Sequence, residues 1–459
     1  MPKLRHSGRL PMNAGQIVGC DRIVLPATNN TTVFSYEQGN NIARFEIPPS
    51  VGMISPFKMP RLCGELAISG VDNREETPLL TINPYLGLEG LVHQVVIRSL
   101  RGGAVLADTR FYERQVSSCV YNSQGTIEQE HNHMCNEFKA MNNIAITDTL
   151  LSPLWDAEVT RKLNFSIPLT TNLLESPQLL ATHLYGLGQG LQIEIYFSSD
   201  ESFFQVIGDT RPTYQITNLR LHYDLLRFDP GSVSTSGMKQ IMFESIDSRN
   251  DTIQSNDETR NVPLVGSAVQ SIVIDALPSA NVNTYRADSN AQEFFGLNTL
   301  RFMVAGQSLP IQQELGYATQ NQVTRTGIAP IQRENFKAIT HDAEVSHPRS
   351  MLSQEYYEGI AQAFNDNTKG GLFSCVLPFT SRHTFGVLFG KEGVPMRYGN
   401  LSFRVQSTNP YYQATPFVAA SVDAPKTPST DAPYTLYTHI TSLKMLNVDE
   451  GSGLVSVQS

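Results

Sequence analysis

Two imidazoles and a carboxylate stand close together at His131, His133 and Glu137. Histidines separated by one residue fall on the same side of a strand. With a nearby carboxylate they form a donor set suited to Mn, Fe or Zn. Gly125, five residues upstream of His131, would supply the turn that opens such a strand. The flanking residues argue the other way. Glu128-Gln-Glu-His-Asn-His-Met-Cys-Asn-Glu137 is rich in types that strands disfavour, so an exposed polar loop or helix is the competing reading.

The spacing Gly125-(x5)-His131-x-His133-(x3)-Glu137 resembles the opening of the metal-binding motif of cupins, β-barrel proteins that are sometimes duplicated. That resemblance implies a two-domain metalloenzyme. It stops there, because Ile144 stands where the pattern has glycine and no second motif with the remaining histidine follows. Other chemical candidates are weaker. Gly186-Leu-Gly-Gln-Gly190 precedes a strand rather than a helix, so it reads as a turn and not a phosphate cradle. Neither a Walker A loop, a Gly-x-Ser-x-Gly elbow nor a kinase signature occurs in the sequence. The carboxylate pairs Glu75-Glu76 and Asp449-Glu450 lie in polar stretches and read as solvated. Trp155, in Pro153-Leu-Trp-Asp, reads as a core or interface anchor rather than a sugar platform.

The chain has 459 residues, enough for two domains that each bury a core. Charged residues make up only 17%, while 32 glycines and 26 prolines supply turn formers, a mix that favours short strands joined by loops. A net charge of −9 excludes a nucleic-acid binder held by an overall basic surface. The N-terminus departs from this, with Lys3, Arg5 and Arg9 ahead of the first acid, Asp21. Such an arm could touch a polyanion or a membrane face, or be a solvated terminus. The five cysteines, Cys20, Cys63, Cys119, Cys135 and Cys375, are odd in number and read as buried thiols of a reducing compartment. No apolar run has the length of a signal peptide or a membrane span, which gives the expectation of cytoplasmic synthesis.

The elements that would position these residues are mostly strands. Gly190-Leu-Gln-Ile-Glu-Ile-Tyr-Phe and Tyr214-Gln-Ile-Thr-Asn-Leu-Arg-Leu-His-Tyr alternate apolar with polar. Further strands are predicted at Ala43–Ile47, Gly64–Ile68, Leu91–Ser99, Ser271–Ile274, Leu300–Val304 and Gly371–Val376. Helices are predicted at Phe111–Val120 and Ser353–Phe364. The small, polar stretch Asp229-Pro-Gly-Ser-Val-Ser-Thr-Ser-Gly237 reads as a linker between two nearly equal halves.

The halves repeat each other. Phe165-Ser-Ile-Pro-Leu-Thr170 matches Cys375-Val-Leu-Pro-Phe-Thr380, and the interval from Pro168 to Leu191 equals that from Pro378 to Leu401. The strands then match, Leu191, Ile193 and Ile195 against Leu401, Phe403 and Val405. A final strand repeats too, Ile216-Thr-Asn-Leu-Arg-Leu221 against Ile440-Thr-Ser-Leu-Lys-Met445. In each copy a proline ends a strand, where its missing N–H costs least. The last strand should turn its Ile and Leu to the core and its basic residue outward.

These features resemble the double jelly-roll major capsid proteins of tailless icosahedral DNA viruses, nearest to those of polinton-like viruses, virophages and the nucleocytoplasmic large DNA viruses. The resemblance rests on Ser7-Gly-Arg-Leu-Pro and on Val95 to Tyr112, a strand, Gly turn and strand leading into a Tyr-bearing helix. It rests equally on the two proline corners and on Leu300-Arg-Phe-Met-Val-Ala-Gly-Gln-Ser-Leu-Pro310. The second corner lacks the aromatic cluster often found after it in the large-virus members.

The resemblance implies an all-β fold of two tandem eight-stranded jelly rolls with short helices in loops. The expected division is an N-terminal arm over 1–32, a first jelly roll over 33–229, a linker over 230–240 and a second jelly roll over 241–459. It implies a structural protein and not an enzyme: a major capsid protein whose homotrimer makes a pseudo-hexameric capsomer, located in the virion. Implied partners are copies of itself, penton and minor capsid proteins, and an inner membrane or genome met by Lys3, Arg5 and Arg9. No cofactor is implied. Glu113–Asp148, Tyr285–Glu293, Tyr317–Arg349 and Val422–Pro433 are expected as contact-making loops.

Overall fold

A computed structural model describes residues 17–49, 52–55, 59–70, 79–82, 86–100, 103–116, 161–169, 171, 173, 190–207, 211–229, 238–254, 257–262, 268–285, 289–290, 299–304, 307–308, 315–316, 374–378, 401–406, 433–449 and 454–458. The first lobe contributes eight main strands: β1 (Ile17–Pro26), β2 (Ile42–Ile47), β3 (Arg61–Ser69), β4 (Val92–Ser99), β5 (Val105–Arg110), β6 (Arg161–Pro168), β7 (Leu191–Phe197) and β8 (Thr213–Phe228). The second contributes β9 (Met238–Ile253), β10 (Asp257–Val262), β11 (Ala268–Pro278), β12 (Thr299–Val304), β13 (Gln307–Ser308), β14 (Ser374–Pro378), β15 (Leu401–Gln406) and β16 (Tyr434–Asp449).

In the first lobe one sheet runs β1-β8-β3-β6 and the other β2-β7-β4-β5. In the second lobe the sheets run β9-β16-β11-β14 and β10-β15-β12-β13. Counted in chain order, both lobes have the sheets 1-8-3-6 and 2-7-4-5, with antiparallel pairs throughout. This is the jelly-roll topology, made twice by one chain. The repeat read from the sequence is thus a repeat of fold. Pro168 pairs with Arg61 and Pro378 with Ser271, each at the end of the sheet's outermost strand, where a missing donor breaks no ladder.

The inward rows of the first lobe are built as the alternation predicted. Leu62, Leu66, Ile167, Ile193, Ile195 and Ile216 are all buried completely between the two sheets. Arg220 of the repeated Ile-Thr-x-Leu-basic strand is exposed, as expected, while Leu219 is buried. The accessory strands differ between the lobes. The outer end of β8 pairs with Gly52–Ile54, whereas the outer end of β16 pairs with β17 (Leu454–Gln458) at the end of the described chain.

Several expectations need adjustment. The first lobe begins before residue 33, because β1 lies inside the stretch assigned to the arm and pairs along β8 from Phe228 to Arg220. Its outward positions are Val18, Cys20, Arg22 and Val24, so its hydrophobic alternation is weak and the sequence reading passed over it. Met238–Gln240, assigned to the linker, is already strand β9. Cys20 is exposed rather than buried and Cys63 is half-buried. Of the helix expected over Phe111–Val120, Phe111 is a bend, residues 112–116 are helical (α1) and 117–120 lie outside the described residues, as does Ser353–Phe364. Glu113, expected to open a loop, is 3% exposed.

Candidate functional site

The elements that distinguish this chain from a single sandwich meet where the first lobe docks on the second. Strand β5 runs alongside β9, and the chain then turns at Phe111 into α1. Phe111 sits at φ 50, a left-handed conformation that bulky side chains avoid. Two anchors hold the turn: Gln115 N–H donates to Phe111 O at 2.9 Å, and the buried Tyr112 hydroxyl donates to Pro168 O at 3.2 Å. The strained residue thereby projects its ring edge-on against Tyr437 of β16, with centroids 5.4 Å apart, and takes His93 on its other side at 5.4 Å.

One turn further, Arg114 crosses the seam. Its Nη2 donates to Asp275 Oδ1 at 2.7 Å and its Nη1 to Ser289 O at 3.1 Å. The guanidinium carbon lies 4.3 Å from the centre of the Tyr437 ring, a cation–π contact in a dry setting. The two charged side chains are 2% and 0% exposed. A charge this deep is tolerated only when paired and hydrogen-bonded, so the two lobes are joined by a contact that neither can make alone.

Asp275 also faces His439. His439 Nε2 is 3.6 Å from Asp275 Oδ2, and its Nδ1 is 2.8 Å from Ser248 Oγ. A carboxylate, an imidazole and a hydroxyl in this order are the parts of a nucleophilic triad. Here they lie under the first lobe, with Ser248 7%, His439 3% and Asp275 0% exposed. A substrate would have to separate the lobes to reach them, and the carboxylate is already committed to Arg114. The arrangement can hold a seam; it cannot admit an acyl group.

A second contact adjoins the first through Ser289, whose Oγ donates to Glu201 O at 3.4 Å. A short helix, α2 (Asp200–Phe203), is capped by Ser199, whose Oγ accepts Ser202 N–H at 3.2 Å. Residues 279–285 and 289–290 of the second lobe meet it. Val206 N–H donates to Tyr285 O at 2.7 Å, Tyr285 hydroxyl to Pro212 O at 3.1 Å, and Asn290 Nδ2 to Ser202 O at 3.1 Å. Asp200 is 6% exposed and accepts Tyr214 N–H at 2.9 Å. Burial pushes its carboxyl up to about 6; the Tyr214 N–H opposes that and the Glu37 charge adds to it. Phe243 of β9 and Leu446 of β16 complete the seam by joining the first lobe's buried cluster.

The metal candidates His131, His133 and Glu137, the arm residues Lys3, Arg5 and Arg9, and Trp155 lie outside the described residues. Among the described residues no group of three or more His, Cys, Asp or Glu is placed to hold a metal ion. Gly190 is a turn residue at φ 74, with Leu100 N–H donating to its carbonyl at 3.2 Å. Sequence reasoning missed Arg114 and Asp275. A usable signal was present in Ser271-Ile-Val-Ile-Asp-Ala-Leu277, where an acid interrupts an apolar strand and so demands a buried partner. Nothing local points to a partner 161 residues away.

Comparison with known proteins gives a likeness of fold. No family model matches the chain, and no curated protein matches it. Among solved structures, the Faustovirus major capsid protein superposes with a TM-score of 0.54 at 10% identity, over 93% of this chain and 90% of that one. A chain of the Sputnik virophage superposes at 0.54 and 11% identity, over 96% of this chain and 89% of its own. A chain of the PBCV-1 virus capsid superposes at 0.51 and 11% identity, over 96% of both. The alignments run through both lobes, so the likeness is to the paired jelly roll and not to one sandwich.

Proposed function

We propose that this chain is the major capsid protein of a tailless icosahedral DNA virus. The observation that carries the reading is the seam: two jelly rolls of identical strand order, fixed side by side through the buried Arg114–Asp275 pair. A rigid pair of similar lobes is of little use to an enzyme with one site. It is what a tile needs. Three such chains related by a threefold axis present six similar lobes, a pseudo-hexagonal block, and closed cyclic symmetry makes that trimer geometrically natural. The fold shared with capsid chains of PBCV-1, Sputnik and Faustovirus supports the same reading.

On this reading the protein's partners are two further copies in a homotrimer, neighbouring trimers, and penton and minor capsid proteins at special positions. The segment bearing Lys3, Arg5 and Arg9 faces inward, toward a membrane or the genome. The protein is made in the host cytoplasm and resides in the virion. No helix among the described residues is long and apolar enough to cross a membrane. Catalysis has no place in this account.

Electron-microscope class averages of the purified protein test it. Threefold particles with a hexagonal outline are expected. Monomers at every concentration and salt condition, or oligomers of another symmetry, would overturn it.

A further inference from the structure

The outward faces of the two equivalent sheets differ in burial. In β16 every residue from Thr435 to Ser442 is buried, on both sides of the strand, and Phe111 and Arg114 of the first lobe lie against the outward Tyr437. In β8 the matching stretch alternates. Tyr214 and Ile216 are fully buried toward the core, while Thr213, Gln215 and Thr217 on the outward side are only half-buried. The repeat sets Ile216 level with Ile440, which places Thr213, Gln215 and Thr217 level with Tyr437, His439 and Thr441. Strand β3 beside them is also half-buried on the outward side, at Glu65, Ala67 and Ser69.

We infer that this face, centred on Thr213, Gln215 and Thr217, is the seat for the second lobe of another copy of the chain. The inference rests on the capsid reading and deepens it by naming the surface. Within one chain, the first lobe already sits on this sheet of the second lobe. The same relationship continued from the second lobe to the first lobe of a neighbour uses unlike surfaces, so it propagates head to tail, and a threefold rotation closes it into a ring. The face suits a protein partner, since Thr213, Gln215, Ala67 and Ser69 carry hydroxyl, amide and methyl groups that desolvate at low cost, while the charge of Glu65 sits opposite Thr217.

The two seams are not copies of each other. Asp275 pairs across the sheet with Tyr437, and the residue in its place in the first lobe is Ser69, which pairs with Thr213. Ser69 Oγ and Thr213 Oγ1 satisfy each other at 3.0 Å. The seam between copies therefore has no carboxylate at the level of Asp275 to receive an arginine. The lobes of one chain are locked by a buried ion pair, and at the same level the copies meet on two hydroxyls, a contact that separates more readily.

Two variants test this on the full chain. Gln215→Arg places a long cation at the centre of the face, and the trimer should be lost while the chain still melts cooperatively, at the temperature of dissociated wild-type chains. Gln215→Cys should react quickly with a maleimide in dissociated chains and slowly in the trimer, read by peptide mass at position 215. A trimer that tolerates Gln215→Arg, or whose Cys at 215 labels as fast as in free chains, overturns the surface assignment and leaves the capsid reading standing. A wild-type protein that never forms trimers overturns both.

Discussion

Arg114 and Asp275, 161 residues apart in the chain, form a 2.7 Å ion pair that is sealed between the two lobes. Removing the arginine alone would leave a carboxylate buried without its partner, and the cost of that is about 3–5 kcal/mol. Arg114→Met should accordingly lower the midpoint of urea-induced unfolding strongly. Adding Asp275→Leu should recover part of the loss, because a neutral, packed pair no longer carries the desolvation cost. Equal loss in the single and double variants would mean that the packing of Phe111 and Tyr437, and not the charge pair, holds the seam.

Two glycines in left-handed conformations should respond differently to alanine. Gly103 lies at φ 66 in open space, so Gly103→Ala should cost only the backbone preference, about 1 kcal/mol. Gly190 lies at φ 74, and a Cβ there would run into the carbonyl oxygen of Ile47. Leu100 N–H holds the Gly190 carbonyl in place, so the turn cannot slide away. Gly190→Ala should cost clearly more than Gly103→Ala in thermal melts, and similar losses would show that the corner before β7 can give way.

The sandwich was legible wherever one face of a strand is wet. Leu191, Ile193 and Ile195 alternate with polar residues, and the ladder of β7 with β2 and β4 follows that alternation. The proline corners also announced themselves, because proline is confined to strand ends for a covalent reason. Strand β9 was missed for the opposite cause. Ser245, Ile246 and Ser248 are all buried there, since the first lobe covers the side that would otherwise face water, and the period-2 signal is erased. The seam was illegible for a related reason: a contact between Arg114 and Asp275 has no spacing in sequence to recognise it by.

His93 offers a pH test of the α1 anchor. Burial alone would lower its pKa, but the Glu113 carboxylate, with Nδ1 and Oε1 2.8 Å apart, more than reverses this and leaves it raised above 6.5. A raised pKa means that the folded state favours the imidazolium. The stabilisation is therefore complete below the unfolded value and fades as pH climbs through the folded one. Glu113→Gln should be most damaging near pH 6 and progressively less so toward pH 8. A difference in melting temperature that is constant across that range would show that His93 stays neutral.

Asp200 should behave in the opposite experimental sense, because here it is the neutral form that the fold prefers. Its carboxyl titrates at about 6 in the folded chain against 3.8 when free, chiefly through burial beside α2. Its contribution is thus fully favourable below pH 3.8 and is lost as pH rises through 6, so at neutral pH an ionised Asp200 weighs against folding. Asp200→Asn keeps an oxygen for Tyr214 N–H, which is 2.9 Å away, and removes the charge near Glu37 and Glu201. The variant should be more stable than the wild type at pH 7.5, on the order of 1–2 kcal/mol by chemical denaturation, with the gap closing toward pH 4. A wild type that remains the more stable at pH 7.5 would show that the ionised carboxylate is instead needed to hold α2 against Tyr285, Ser289 and Asn290.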